Sequence, residues 1–300
     1  MPGLYDLGLT SQSWQGITWI HRVRVLIPKG ASRPYVVLMV TGSGDGREEL
    51  ALCGEISRLT GMAVAILHDV PNQPLFGNLY EDALMAHTFA KYLEGGAWDW
   101  PLLLPMTKSV VKAMDAVEVL YEKVTGTGAS GFIVTGASKR GWTSWLSAIV
   151  DRRIKGIAPM VYDNLNLHVQ MRHQRECYGG YSEQISDYTD LGLVEELETE
   201  GGRRLVEIID PYAHRDELVI PKLIINGTND RYWTIDSLNL YFNDLLGEKH
   251  VLYVPNSGHG LEDRRRVVNT LSAFALSVSK ATTLPRMRVE YPTNSEADIE

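Results

Sequence analysis

The sequence lacks any uninterrupted apolar run approaching the ~18 residues that a membrane-spanning helix needs, so no membrane span is expected. It has only two cysteines, Cys53 and Cys177, far apart along the chain. Two such thiols do not make a disulfide framework, and the expectation is buried free thiols in a reducing compartment. Positive charge is not in excess. The formal charge is -8, which disfavours nucleic acid and anionic membrane as partners. The opening MPGLYDLGLTSQSW holds neither the basic stretch nor the apolar core of a secretory leader, which predicts a cytoplasmic protein. Repeats and low-complexity blocks are absent. The Gly42-Ser43-Gly44 stretch lacks the Gly-Lys-Ser/Thr that a phosphate loop carries, which disfavours nucleotide binding. His168, His173 and His214 have no metal-spaced carboxylate partner in the sequence, so no metal and no cofactor is expected.

What is present is an ordinary globular composition, 44% hydrophobic and 22% charged over 300 residues. That suits one large α/β domain. Short apolar runs read as strands at 17–28, 35–40, 62–68, 131–135, 154–162, 222–226 and 250–254. Helical patterns fall between them at 48–59, 81–93, after Pro105, after Ser138 and at 262–279. After Pro105 the apolar stripe is Val110, Ala113, Met114, Val117, Leu120 and Tyr121, all on one helical face. Runs with no polar alternation, such as Tyr35 to Val40, are expected of strands covered on both faces. The alternation predicts a doubly wound, mostly parallel sheet. Residues 163–217 break the pattern. They are polar and aromatic, with helical patches such as 191–197, and read as a helical cap inserted into a core of 1–162 and 218–290. A flexible tail is expected at 291–300.

In a parallel sheet, ligands bind beyond the carboxyl ends of the strands. After 131–135 comes Gly136-Ala-Ser138-Lys-Arg-Gly141, a strand, a sharp turn and a helix. That is the layout of a nucleophile elbow, where a serine hydroxyl points outward beside unpaired helix N–H groups. The second glycine stands one residue later than in G-x-S-x-G. After 222–226 comes Asp230, and after 250–254 comes His259 between two glycines. The order Ser, Asp, His is the α/β-hydrolase order. Each residue type has a reason. Ser138 needs a base to take its proton, histidine is the side-chain type suited to that near neutral pH, and an acid must fix the imidazole tautomer. Asp163 and Asp236 are rivals to Asp230 for that last role. The oxyanion donors are expected at the Lys139 N–H and in the Gly42-Ser43 loop.

Lys139 and Arg140 have two readings. They grip an acidic substrate or the oxyanion, or they form salt bridges. Trp142, Trp145 and Trp233 could line a pocket, with core packing the expectation for at least two. Arg140, Trp142, Trp233 and Asn164 are the candidate substrate contacts.

Further matching stretches are Val70-Pro-Asn-Gln-Pro-Leu75, Glu81-Asp82-Ala83, Pro105-Met-Thr-Lys108 with Asp115, and Pro159-Met160 with Asn164-Leu-Asn166. Others are Asp210-Pro211, Pro221 to Asn226, Asn229-Asp230-Arg-Tyr-Trp233 with Asp236, and Val254 to His259. With the elbow, these resemble the PhoPQ-activated pathogenicity-related family of α/β-hydrolase-like proteins, over about residues 20 to 280. The resemblance implies that Ser138, Asp230 and His259 stand at that family's triad positions. The elbow spacing is also similar to that of glucuronoyl esterases, which hints at acidic esters. The expected function is a serine hydrolase that cleaves small or medium carboxylic esters through an acyl-enzyme. The alternatives are a serine peptidase or amidase, or a non-catalytic binding or signalling protein.

Overall fold

The computed structural model describes residues 3–31, 33–280 and 282–285. The expected tail at 291–300 lies outside the described residues.

Eight strands form one sheet: β1 (Gly3–Trp14), β2 (Ile17–Ile27), β3 (Tyr35–Val40), β4 (Ala63–Leu67), β5 (Gly131–Ala137), β6 (Ile154–Met160), β7 (Lys222–Gly227) and β8 (Lys249–Val254). Their spatial order is β1-β2-β4-β3-β5-β6-β7-β8. β1 pairs antiparallel with β2, and β2 with β4. Every pairing from β4 to β8 is parallel. The doubly wound, mostly parallel sheet read from the sequence is therefore present.

β1 was not expected. Its alternation of Tyr5, Leu7 and Leu9 with Asp6, Gly8 and Thr10 is a period of two. The signal was there, but the segment is half polar because one face is solvated. Gln15 and Gly16 both have positive φ and close β1 onto β2 in a two-residue turn, the geometry that matches strand twist.

Outside the stretch between β6 and β7, the helices among the described residues are α1 (Arg47–Thr60), α2 (Glu81–Leu93), α3 (Leu103–Thr125), α4 (Lys139–Val150) and α9 (Arg264–Val278). α3 starts before Pro105, which sits in the first turn, where a missing N–H costs nothing. Val37, Met39, Val64, Ile66 and Ile133 face α1 and α9, packing with Ile56 and Leu271. Val36, Leu38, Val40, Leu67 and Val134 face the other way, with Met114, Val117 and Trp145. Each fully buried side chain of this size contributes roughly 1.5–3 kcal/mol.

Between β6 and β7 run α5 (Leu167–Tyr178), α6 (Ser186–Thr189), α7 (Leu193–Glu196) and α8 (Glu200–Ile209). Two 3₁₀ segments, Glu183–Ile185 and Pro211–Glu217, complete the insertion. Asp210 ties its two ends together. Its carboxylate accepts from Leu167 N (2.8 Å), Asn166 N (3.3 Å) and Tyr212 N (2.9 Å). Among the described residues no helix is long and apolar enough to cross a membrane. Both cysteines are free, as expected, but only Cys53 is buried; Cys177 is exposed on α5. An α5 face that docks on the core leaves Cys177 at its margin.

Candidate active site

β5 ends at Ala137 and α4 begins at Lys139, so Ser138 alone makes the corner. Its φ of 58° and ψ of -127° are strained for a residue with a side chain. One tertiary hydrogen bond and the first bond of α4 hold that conformation. Ser138 N donates to Met160 O at 2.8 Å, and Ser138 O accepts from Trp142 N at 3.0 Å. The late glycine has a packing reason: a Cβ on Gly141 would press on Met160 O at 2.8 Å and Gly136 O at 3.1 Å. The elbow helix therefore lies tight against the end of β6, and the required glycine is at 141.

The loops after β7 and β8 bring Asp230 to His259. Gly227 admits no side chain because the carbonyls of Ser257 and Gly258 press against it. Asn229 N donates to Ser257 O (2.9 Å) and Asn256 N to Thr228 Oγ1 (2.9 Å), locking the two loops. His259 Nδ1 then lies 2.8 Å from Asp230 Oδ2. The Asp230 side chain is 4% exposed and its other oxygen accepts from Tyr232 N at 3.0 Å. With Nδ1–H donating to the Asp230 carboxylate, Nε2 is left as the bare nitrogen. The His259 ring stacks on Tyr232 with centroids 4.2 Å apart. Among the described residues no hydrogen bond joins Ser138 to His259, and such contacts commonly tighten only when substrate is bound.

The rivals are engaged elsewhere. Asp163 accepts from Tyr241 Oη (2.5 Å) and Tyr253 Oη (3.0 Å). Burial pushes its carboxyl up to about 6, against the pull of those two hydroxyls. Asp236 pairs with His173 at 2.9 Å.

Ser138 and Lys139 open onto a cavity of about 80 Å³. Its floor is Trp142, Tyr162 and Trp233; its roof comes from the insertion, including Met171, Leu197 and Leu205. Trp142 and Tyr162 stack at 4.7 Å. Three buried polar atoms on lining residues have no partner among the described residues: Tyr162 Oη, Asn164 Oδ1 and Trp233 Nε1. Such atoms cost free energy unless something polar meets them.

The sequence pattern of the PhoPQ-activated pathogenicity-related protein family matches residues 3–300. The chain belongs to that family. A relative in Dictyostelium discoideum, autocrine proliferation repressor protein A, is 36% identical over 277 residues. The match takes in 86% of this chain and 56% of that protein, so the chain spans little more than half of its curated relative. Among solved structures, an esterase from Pyrobaculum calidifontis aligns with a TM-score of 0.58 at 16% identity, over 93% of this chain and 85% of that one. Carboxyl esterase 2 of Tuber melanosporum gives 0.59 at 14%, over 93% and 88%. The acylaminoacyl peptidase of Pyrococcus horikoshii gives 0.57 at 13%, over 94% of this chain and 43% of its own. At these identities the likeness shows the α/β-hydrolase fold alone.

In this family member the two cations beside the elbow are neither solvated nor free. Lys139 Nζ lies 2.8 Å from Glu81 Oε2 and 3.3 Å from Asp82 Oδ2. Arg140 donates to both Glu81 oxygens at 2.7 Å and through Nε to Val70 O at 2.6 Å. Burial would raise the Glu81 pKa, but Arg140 and Lys139 outweigh it and hold the carboxyl well below the usual carboxylate range. The sequence could not supply this, because the partners sit about 60 residues upstream, in the first turn of α2. Arg140 does not line the cavity, a correction to its reading as a substrate contact. Its guanidinium instead packs against Gly42, where a side chain would otherwise stand.

Gly42 and Ser43 also lie outside the cavity lining. Gly42 borders a separate cleft with Ala137 and Arg140, and Ser43 is exposed. Lys139, Trp142, Trp233 and Asn164 do line the cavity. All three tryptophans pack in the hydrophobic core, as expected for at least two of them, and Trp142 and Trp233 line the cavity as well, while Trp145 is wholly interior at 0% exposed. Tyr162, Tyr188 and Tyr232 were missed as lining residues. Tyr232 was legible as part of Asn-Asp-Arg-Tyr-Trp; Tyr188 was not, since it reaches Asp82 (3.0 Å) across 106 residues of chain.

Proposed function

We propose that the chain is a serine hydrolase that cleaves carboxylic esters of small or medium size. The observation that carries this is the His259–Asp230 contact of 2.8 Å, set on neighbouring strand ends beside the strained Ser138 corner. Ser138 Oγ attacks the ester carbonyl while His259 Nε2 takes its proton. The C–O bond to the alcohol breaks as the imidazolium returns that proton to the leaving oxygen. His259 then draws a proton from water, the hydroxide attacks the acyl-Ser138 carbonyl, and the acid leaves with Ser138 restored. The Lys139 N–H, at the start of α4 and next after the nucleophile, is the oxyanion donor. The apolar cavity of about 80 Å³ suits a short acyl group. Since Glu81 and Asp82 neutralise Lys139 and Arg140, neutral esters suit the site better than acidic ones.

The test is labelling with a fluorophosphonate and turnover of short p-nitrophenyl esters, wild type against Ser138→Ala. We expect both in the wild type and neither in the variant. No labelling and no turnover by the folded wild type would sink the reading. Parallel assays on amide and ester forms of one acyl group separate esterase from peptidase or amidase. The name of the Dictyostelium relative favours a second reading, a signalling role on the same fold. That reading requires Ser138→Ala to keep any effect on cell growth.

A further inference from the structure

One face of α5 is fastened to the segment that follows β7. Gln170 Nε2 donates to Ser237 O (3.0 Å), Gln174 Nε2 to Tyr232 O (2.9 Å) and Tyr178 Oη to Trp233 O (2.9 Å). Ser182, just beyond the helix, donates to Arg231 O at 2.6 Å. Positions 170, 174 and 178 recur every four residues, so they line one helical face. The segment they grip, 231–237, continues directly from Asp230.

His173 and Cys177 stand at the edge of this seam, four residues apart and thus on neighbouring turns. Asp236 reaches them from the other side. His173 Nε2 is 2.9 Å from Asp236 Oδ1 and 3.4 Å from Cys177 Sγ. One donor atom of each residue falls in a group whose members lie within 4.8 Å of one another. No metal-spaced carboxylate accompanies His173 in the sequence; Asp236 lies 63 residues away, and only the fold delivers it.

We propose that His173, Cys177 and Asp236 form a binding site for a divalent cation of the zinc class, joining the inserted helices to the Asp230 segment. Three arguments support it. The ligand set is one thiolate, one imidazole and one carboxylate, which suits zinc and not magnesium or calcium. In a tetrahedral zinc site a thiolate sulfur at about 2.3 Å and an imidazole nitrogen at about 2.0 Å stand about 3.5 Å apart. The 3.4 Å between Cys177 Sγ and His173 Nε2 already meets that spacing. The hydrogen bonds from Gln170, Gln174 and Tyr178 fix the backbone of both sides, so little ordering is needed to bind. Asp236 and His173 need part by only about 0.4 Å to share a metal at such bond lengths. The fourth position is left to water, since Cys177 is exposed and Asp236 half exposed.

The test uses the full chain, stripped with a chelator and kept reduced. Titration with Co²⁺ should give a thiolate-to-cobalt charge-transfer band at one ion per chain, and Zn²⁺ should displace it. Cys177→Ser should lose the band. His173→Ala and Asp236→Asn should each weaken Zn²⁺ at least about tenfold, since even outer-shell partners cost 10–100-fold. Zn²⁺ should raise the melting temperature of the wild type and not of Cys177→Ser. Circular dichroism of the metal-free variants checks that they are folded. A cobalt spectrum with no thiolate band, a band that survives Cys177→Ser, or wild-type zinc affinity in both other variants overturns the proposal. None of these readouts depends on esterase activity.

Discussion

Ser138, Asp230 and His259 each sit within a few residues of the end of a strand, β5, β7 and β8 respectively. For Asp230 the decisive bond is to His259 Nδ1, at 2.8 Å. Asp230→Asn would present an amide that favours the wrong imidazole tautomer, and we expect kcat to fall by about 10⁴ with the fold intact. An unchanged kcat would return the role to Asp163. Asp163 behaves differently because it is buried between two tyrosine hydroxyls and titrates at about 6, against an ordinary 3.8. The folded state thus prefers the protonated form. Asp163 contributes stability that is fully present below about pH 4 and lost as pH rises through about 6. The shift of about two units caps the effect at about 3 kcal/mol. We expect Asp163→Asn to flatten the fall in unfolding free energy between pH 4 and 7, as read by urea denaturation. Identical slopes in variant and wild type would refute this.

At the scale of elements, the contact to weigh is α4 on α2. Two cations from the first turn of α4 meet two carboxylates from the first turn of α2. The carboxylates suit the positive end of their helix; the cations do not suit theirs, and the ion pairs offset that cost. Lys139 and Arg140 are nearly buried, while the Glu81 side chain is 41% exposed. Glu81→Gln should therefore cost less than the 3–5 kcal/mol of a fully buried pair, about 2 kcal/mol. That lowers the melting temperature by roughly 3 °C. The same variant leaves Arg140 less firmly held over Gly42, so we expect kcat to drop more than KM rises. Stability equal to wild type in a thermal melt would count against the buried-pair account.

At the scale of the whole molecule, the cavity exists only because the inserted helices close over the sheet edge. Met171 on α5 belongs to its roof and is 7% exposed. Met171→Ala should enlarge the space and shift the preferred p-nitrophenyl ester to a longer acyl chain. The stability cost should sit near the low end of the 2–5 kcal/mol typical of core truncation, because the site already borders a cavity. If the chain-length profile does not move, the acyl group does not enter this cavity.

The sequence by itself determined what short-range pattern controls. Period and run length placed the parallel strands and most helices, and β1 carries the same signal in its alternation, weakened by its polar face. Glycine spacing and strand ends brought out Ser138, Asp230 and His259, because loop chemistry at a strand terminus is local. Tertiary structure decided the rest. Which acid meets His259, which carboxylates neutralise Lys139 and Arg140, and which aspartate reaches His173 are all pairings across roughly 30 to 60 residues. No periodicity encodes such pairings, since any acidic residue of the right length would read the same. They are fixed only when the sheet order sets strand ends side by side and the insertion folds back over them.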